Sequence, residues 1–139
     1  MSDQDILEGG CLCGKVRYSI TGIPKNVTHC HCEMCRKATG AAFATFAVIK
    51  PGRLEWTGAE PAFYASSDRA TRGFCAACGS TLSFQYAGDE AMDIAVGTLD
   101  DPGAVTPVAH IWDHARLWWV DMKDGLPRYN EISPEREDK

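Results

Sequence analysis

Apolar and polar residues alternate along this chain in short runs. From Gly14 to Ile20, Val16, Tyr18 and Ile20 fall on every second position, as in a strand with one face buried. Gly22 and Pro24 end that run. Asn26 to His29 predicts a second extended piece. Ala42 to Ile49 is mostly apolar and stops at a Pro51-Gly52 turn. Arg53 to Thr57 and Ala62 to Ala65 predict strands around a Gly58 to Pro61 turn. Thr71 to Phe74, Thr81 to Tyr86 (alternating Leu82, Phe84, Tyr86) and Met92 to Val96 predict three more. Gly97 to Pro107, rich in Asp, Gly and Pro, reads as a loop, after which Pro107 to Trp112 and Leu117 to Val120 close the domain. Only Glu33 to Thr39, stopped by Gly40, has the character of a short helical turn. Strands at intervals of about 8–12 residues, with no long helical periodicity, predict a mainly β (β-rich α+β) fold of short antiparallel strands.

Composition narrows the class. A chain of 139 residues, 45% hydrophobic and 24% charged, suits one globular domain, here taken as residues 1–139 with a charged tail at 133–139 that frays. The longest apolar run, Ala41 to Ile49, is far short of the roughly 20 residues of a membrane span, so no membrane is expected. The formal charge of −5 leaves no global basic footprint for nucleic acid. The acidic N-terminus lacks an apolar signal core, which points to the cytoplasm.

Cysteine changes the picture most. Seven cysteines cannot all pair, and in a reducing compartment clustered thiols bind metal more often than they crosslink. They form a C-x-C pair (Cys11, Cys13), a C-x-C-x-x-C trio (Cys30, Cys32, Cys35) and a C-x-x-C pair (Cys75, Cys78). Gly14 and Gly79, directly after the outer pairs, let the backbone turn sharply so that amides face the sulfurs. Seven thiolates divide naturally into a closed, structural four (Cys11, Cys13, Cys75, Cys78) and an open three (Cys30, Cys32, Cys35) whose vacancy would mark a catalytic zinc. Spacing does not force this partition; Cys11, Cys13, Cys30 and Cys32 are an alternative closed set. A redox C-x-x-C, an iron site and simple buried thiols are competing readings.

The segments GCLCGKVRY, HCHCEMCRKATGAAF, FCAACGSTL and HIWDHARLWW, within about residues 9–129, together resemble the glutathione-dependent formaldehyde-activating enzyme and centromere protein V family. The resemblance implies a zinc fold of coiled sheets shared with a Rab-binding exchange accessory factor. It implies structural zinc at Cys11, Cys13, Cys75 and Cys78 and catalytic zinc at Cys30, Cys32 and Cys35, two zincs per chain. It also implies a carbon–sulfur lyase activity in which glutathione adds to formaldehyde. A non-catalytic, zinc-stabilised binding module is the alternative.

The chemistry is consistent with a thiol partner. Zinc with three thiolates is formally −1, a poor activator of water, whereas an incoming thiol loses its proton on coordination. The partners expected are therefore a small-molecule thiol and an electrophile. The charge must be offset, and Arg36 and Lys37, directly after the trio, are the expected counter-ions. His29 and His31 flank Cys30 and in an extended segment point away from it, while Cys30 and Cys32 share a face. His110 and His114 are spaced as a helical metal pair would be, and His110, within the family's HIW segment, is a candidate pocket residue.

Overall fold

The computed structural model describes residues 5–134. Its strands are β1 (Ile6–Gly10), β2 (Arg17–Thr21), β3 (Val27–Cys30), β4 (Ala44–Ile49), β5 (Leu54–Trp56), β6 (Ala62–Ser67), β7 (Ala70–Phe74), β8 (Thr81–Tyr86), β9 (Met92–Ala95) and β10 (Ala109–Ile111). Among the described residues the α-helix α1 (Glu33–Thr39) follows β3. A three-stranded sheet runs β1-β2-β5, and a seven-stranded sheet runs β10-β3-β4-β9-β8-β7-β6. The fold is thus mainly β, as the alternation predicts. Every named pairing is antiparallel except β10 with β3, which is parallel. Among the described residues no helix is long and apolar enough to cross a membrane.

The large sheet has two differently used faces. Partners in register share a face, so Val27, Ala47 and Ile94 line up on one side. With Ile49, Leu82 and the small sheet's Tyr18 and Ile20, they form the main core. On the opposite face Cys30, Ala44 and Phe46 form a second cluster, joined by Phe84. β3 is buried along its whole length, between β10 and β4.

β1 is absent from the alternation pattern because Glu8, Gly9 and Gly10 interrupt it. The glycines are required for another reason. A Cβ on Gly9 would overlap the Tyr18 hydroxyl and the Thr98 carbonyl, and one on Gly10 would overlap the Val16 carbonyl. Leu117 to Val120 forms a turn, closed by a bond from the Val120 amide to the Leu117 carbonyl. Ser133, the first residue of the tail expected to fray, is instead buried; residues 135–139 lie outside the described residues.

Candidate metal centres and the cleft beside the middle cysteines

The two outer cysteine pairs meet. The turn after β1 carries Cys11 and Cys13, and the turn between β7 and β8 carries Cys75 and Cys78. Their four sulfurs all lie within 4.8 Å of one another. Cys11 Sγ is 3.5 Å from Cys13 Sγ, which is 3.8 Å from Cys75 Sγ. A tetrahedron with zinc–sulfur bonds of about 2.3 Å has edges of about 3.8 Å, so the donor set fits zinc. Gly14 at φ 84° and Gly79 at φ 81° permit the two turns. Among the amides aimed at sulfur are those of Val16, which donates to Cys11 Sγ at 3.3 Å, and Cys78, which donates to Cys75 Sγ at 3.4 Å.

The middle cysteines form a separate group. Cys30 ends β3, Cys32 caps α1 and Cys35 sits on the first turn of that helix. Their sulfurs also lie within 4.8 Å of one another, and among the described residues this group has three members. The alternative set of Cys11, Cys13, Cys30 and Cys32 is not the one assembled. The Cys35 amide donates to Cys32 Sγ at 3.3 Å, which starts the helix and fixes the spacing of the two sulfurs. Gly40 ends it at φ 72°, its amide bonding the Arg36 carbonyl. Thr39 is occupied within the helix, donating to the Cys35 carbonyl. Hydrogen bonds from the Cys30 and Cys35 thiols lower the Cys32 pKa, and Arg72 adds a smaller coulombic pull. Cys30 is pushed up, chiefly by its bond with Cys32.

The trio opens into a cleft of about 430 Å³, whereas the outer four sit in surface turns, with Cys13 exposed. The cleft floor is the second face of the large sheet: Thr28, Phe46, Phe84, Arg72 and Asp93. Glu33 and Met34 of α1 form one wall, and Ile111, Trp112 and His114 another. Trp112 takes φ 52°, the one non-glycine residue in the left-handed region among those described. Its amide bonds the Glu131 carbonyl and the next amide bonds the Tyr129 carbonyl, so the segment at 129–131 holds this turn against the cleft.

Arg36 and Lys37 do not line the cleft. Lys37 is exposed on α1 and faces Glu33 at 3.8 Å, and Arg36 is half-buried with its Nε covered by protein. The cations that do line the cleft are Arg72 and Arg69. Arg72 donates from Nη2 to Cys35 Sγ at 3.6 Å, and its guanidinium lies 4.8 Å over the Phe84 ring. No sequence signal singled it out. It faces the trio because β7 pairs Arg72 with Phe84 across a ladder that also carries a bulge, and register of that kind is not written in local pattern.

The histidines gather behind the trio. His29 pairs with His110 across β3 and β10, on the face opposite Cys30, as the alternation predicts. His31 Nε2 lies 2.8 Å from His110 Nδ1, and His110 Nε2 lies 2.8 Å from Asp124 Oδ2. His31 and His110 are fully buried. Burial, with His110 beside it, pushes the His31 pKa down to about 4, and burial likewise lowers that of His29. His110 therefore lies outside the cleft lining, and His114 is part of it. The two do not form a helical pair, since His110 is on a strand and His114 in a single 3₁₀ turn. His31, His110 and Asp113 also present donor atoms within 4.8 Å of one another. Asp113, however, is already bonded to Arg128 at 2.9 Å.

Residues 6–115 match the family model of the glutathione-dependent formaldehyde-activating enzyme. A Schizosaccharomyces pombe protein named as an uncharacterized lyase is 38% identical over 80 residues, which are 57% of this chain and 57% of that protein. The chain thus matches little more than half the length of that curated relative. The crystal structure of a Rhodobacter sphaeroides protein, solved as a structural-genomics target, superposes with a TM-score of 0.52 at 20% identity, covering 87% of this chain and 98% of that one. The fold is shared at that distance.

Proposed function

This chain belongs to the glutathione-dependent formaldehyde-activating enzyme family, and on that premise we propose that it is a carbon–sulfur lyase-type enzyme that joins a small thiol, glutathione or similar, to an aldehyde such as formaldehyde. The observation that carries the reading is the contrast between four cysteines closed on themselves and three that open into a cleft. The fission-yeast relative's description as a lyase supports the same class.

Both donor sets suit zinc: Cys11, Cys13, Cys75 and Cys78 would hold a structural ion, and Cys30, Cys32 and Cys35 a catalytic one. When bound at the trio, zinc supplies the positive charge that keeps an incoming thiol deprotonated. The remaining work falls to the chain's own groups. Arg72 offsets the negative charge of the sulfurs through Cys35. Phe46, Phe84 and Trp112 give apolar walls that exclude water, which strengthens that offset. His114 is placed in the cleft to hold or deliver a proton. In the overall reaction the thiol sulfur bonds the carbonyl carbon, the carbonyl π pair moves to oxygen, and the proton lost from sulfur ends on that oxygen. The reverse reaction is the lyase direction. Seven unpaired cysteines suit the reducing cytoplasm as the working compartment, and residues 1–139 act as one domain.

The test is the rate of thiol consumption by zinc-loaded protein with glutathione and formaldehyde. Turnover above the uncatalysed rate, abolished in a folded Cys32→Ser variant, is the expected result. Undiminished turnover in that variant removes the trio from the mechanism.

A further inference from the structure

The apolar part of the cleft lies directly against the middle sulfurs. Phe84, Ile111 and Trp112 pack on the cluster that Cys30, Cys35 and Phe46 form, and all six line the cleft. Phe84, Ile111 and Trp112 are only half-buried. Phe84 is held from two sides: the Arg72 guanidinium lies 4.8 Å over its ring, and Tyr86 meets it edge-on at 4.7 Å. The Phe46 ring follows at 6.3 Å. Of the charged lining residues, Arg72 and Asp93 are buried in the floor, whereas Glu33 and Arg69 are exposed. The cleft thus presents fixed, uncovered apolar surface beside its sulfurs. Such surface in a concave site is the usual mark of an apolar ligand group.

We infer that the aldehyde favoured at the trio carries an aromatic or large aliphatic group, with Phe84, Ile111 and Trp112 receiving it. The inference rests on the thiol–aldehyde reading of the site and adds the substrate class. The new bond is made at sulfur, so the substituent of the aldehyde carbon stands two bonds from that sulfur, within reach of the walls packed on the trio. The ends of a peptide thiol such as glutathione are charged and many bonds away, and they suit the exposed Glu33 and Arg69. Formaldehyde enters the same site but brings no such group. It adds two heavy atoms, roughly 60 Å³ on a scale of about 30 Å³ per water, to a cleft of about 430 Å³. A larger aldehyde takes the apolar walls out of water, in the adduct and in the transition state that leads to it. The balance of the step is unchanged: sulfur bonds the carbonyl carbon, the thiol proton ends on the oxygen, the substituent stays on carbon, and nothing is oxidised.

The experiment follows thiol consumption by the zinc-loaded protein with glutathione and either acetaldehyde or phenylacetaldehyde, each rate divided by its own uncatalysed rate. The two aldehydes differ by one phenyl ring. The acceleration should be roughly tenfold or more greater for phenylacetaldehyde, the effect of taking that ring out of water. The advantage should fall at least threefold in Phe84→Ala and persist in Tyr64→Ala, an exposed aromatic outside the cleft lining. If Phe84→Ala fails to fold, the Trp112 indole N–H resonance of the unaltered protein decides: the ring current of S-benzylglutathione should shift it well beyond the effect of S-methylglutathione. Equal accelerations, acceleration confined to formaldehyde, an advantage that outlives Phe84, or a resonance that S-benzylglutathione leaves in place overturns the inference while leaving the thiol site intact. No acceleration with any of these aldehydes, formaldehyde included, overturns the thiol–aldehyde reading and the inference together.

Discussion

The two cysteine groups use one ligand type in opposite surroundings. The outer four join segments far apart in sequence, the turn after β1 and the turn before β8. They sit near the surface, with backbone amides aimed at the sulfurs, and they do not line the cleft of the middle three. The middle three lie within one β3–α1 connection, so a metal there ties together little that the chain does not already hold. They are also more buried, faced by an arginine, and open into a cleft. Identical donors thus close a long loop in one group and open into a cleft in the other. The comparison says that stability and activity should come apart by site.

The largest effect expected is on folding. Cys75→Ser opens the closed set, and since structural zinc binding is itself folding energy, several kcal/mol should be lost. Far-ultraviolet circular dichroism should show a largely unfolded chain at 25 °C, while Cys32→Ser retains the native spectrum. Equal losses in both variants would break the comparison.

Chelation sharpens it next. An ion with three protein ligands should leave before one with four. Titration with a chelator, followed by a colorimetric metal indicator, should show two phases, and the melting temperature should fall steeply only in the second. One phase, with melting in step, contradicts the division of roles.

A third effect lies behind the trio. His110→Ala leaves His31 Nε2 without its partner and a void at a fully buried position, which should cost about 2–4 kcal/mol. Urea unfolding should register that loss with zinc content unchanged at both sites. Loss of the trio's metal together with stability would make the histidines part of the metal site itself.

The smallest effect is on the side of the closed site. The Tyr18 hydroxyl bonds Thr98 Oγ1 at 2.7 Å, so Tyr18→Phe should cost about 1 kcal/mol. Burial raises the Tyr18 pKa to about 12. The folded state favours the neutral phenol, so this contribution is complete below the unfolded value near pH 10 and declines as pH rises toward 12. Absorbance at 295 nm should show a late tyrosine titration that is lost in Tyr18→Phe.

Much of this was legible in local pattern. α1 matches its predicted span because its signals are local: a capping side chain at Cys32 and a glycine stop at Gly40. β8 matches because Leu82, Phe84 and Tyr86 alternate without interruption. The partition of the cysteines was favoured by spacing, and the fold supplies the contact between distant pairs that spacing could not. Arg36 and Lys37 are adjacent to the trio in the chain but do not line the cleft, whereas Arg72 reaches it from another strand by register, which sequence neighbourhood does not reveal. The His31–His110–Asp124 chain was hidden for the same reason, since it depends on a parallel pairing of β10 with β3 and on a residue from the loop after 120.

The most direct test is a crystal structure of the zinc-loaded protein soaked with a small thiol. Two metal positions are expected, with the thiol's sulfur about 2.3 Å from the ion at Cys30, Cys32 and Cys35 and no guest at the other four cysteines. A fourth protein side chain completing the middle site, or a disulfide among those three sulfurs, would contradict the account.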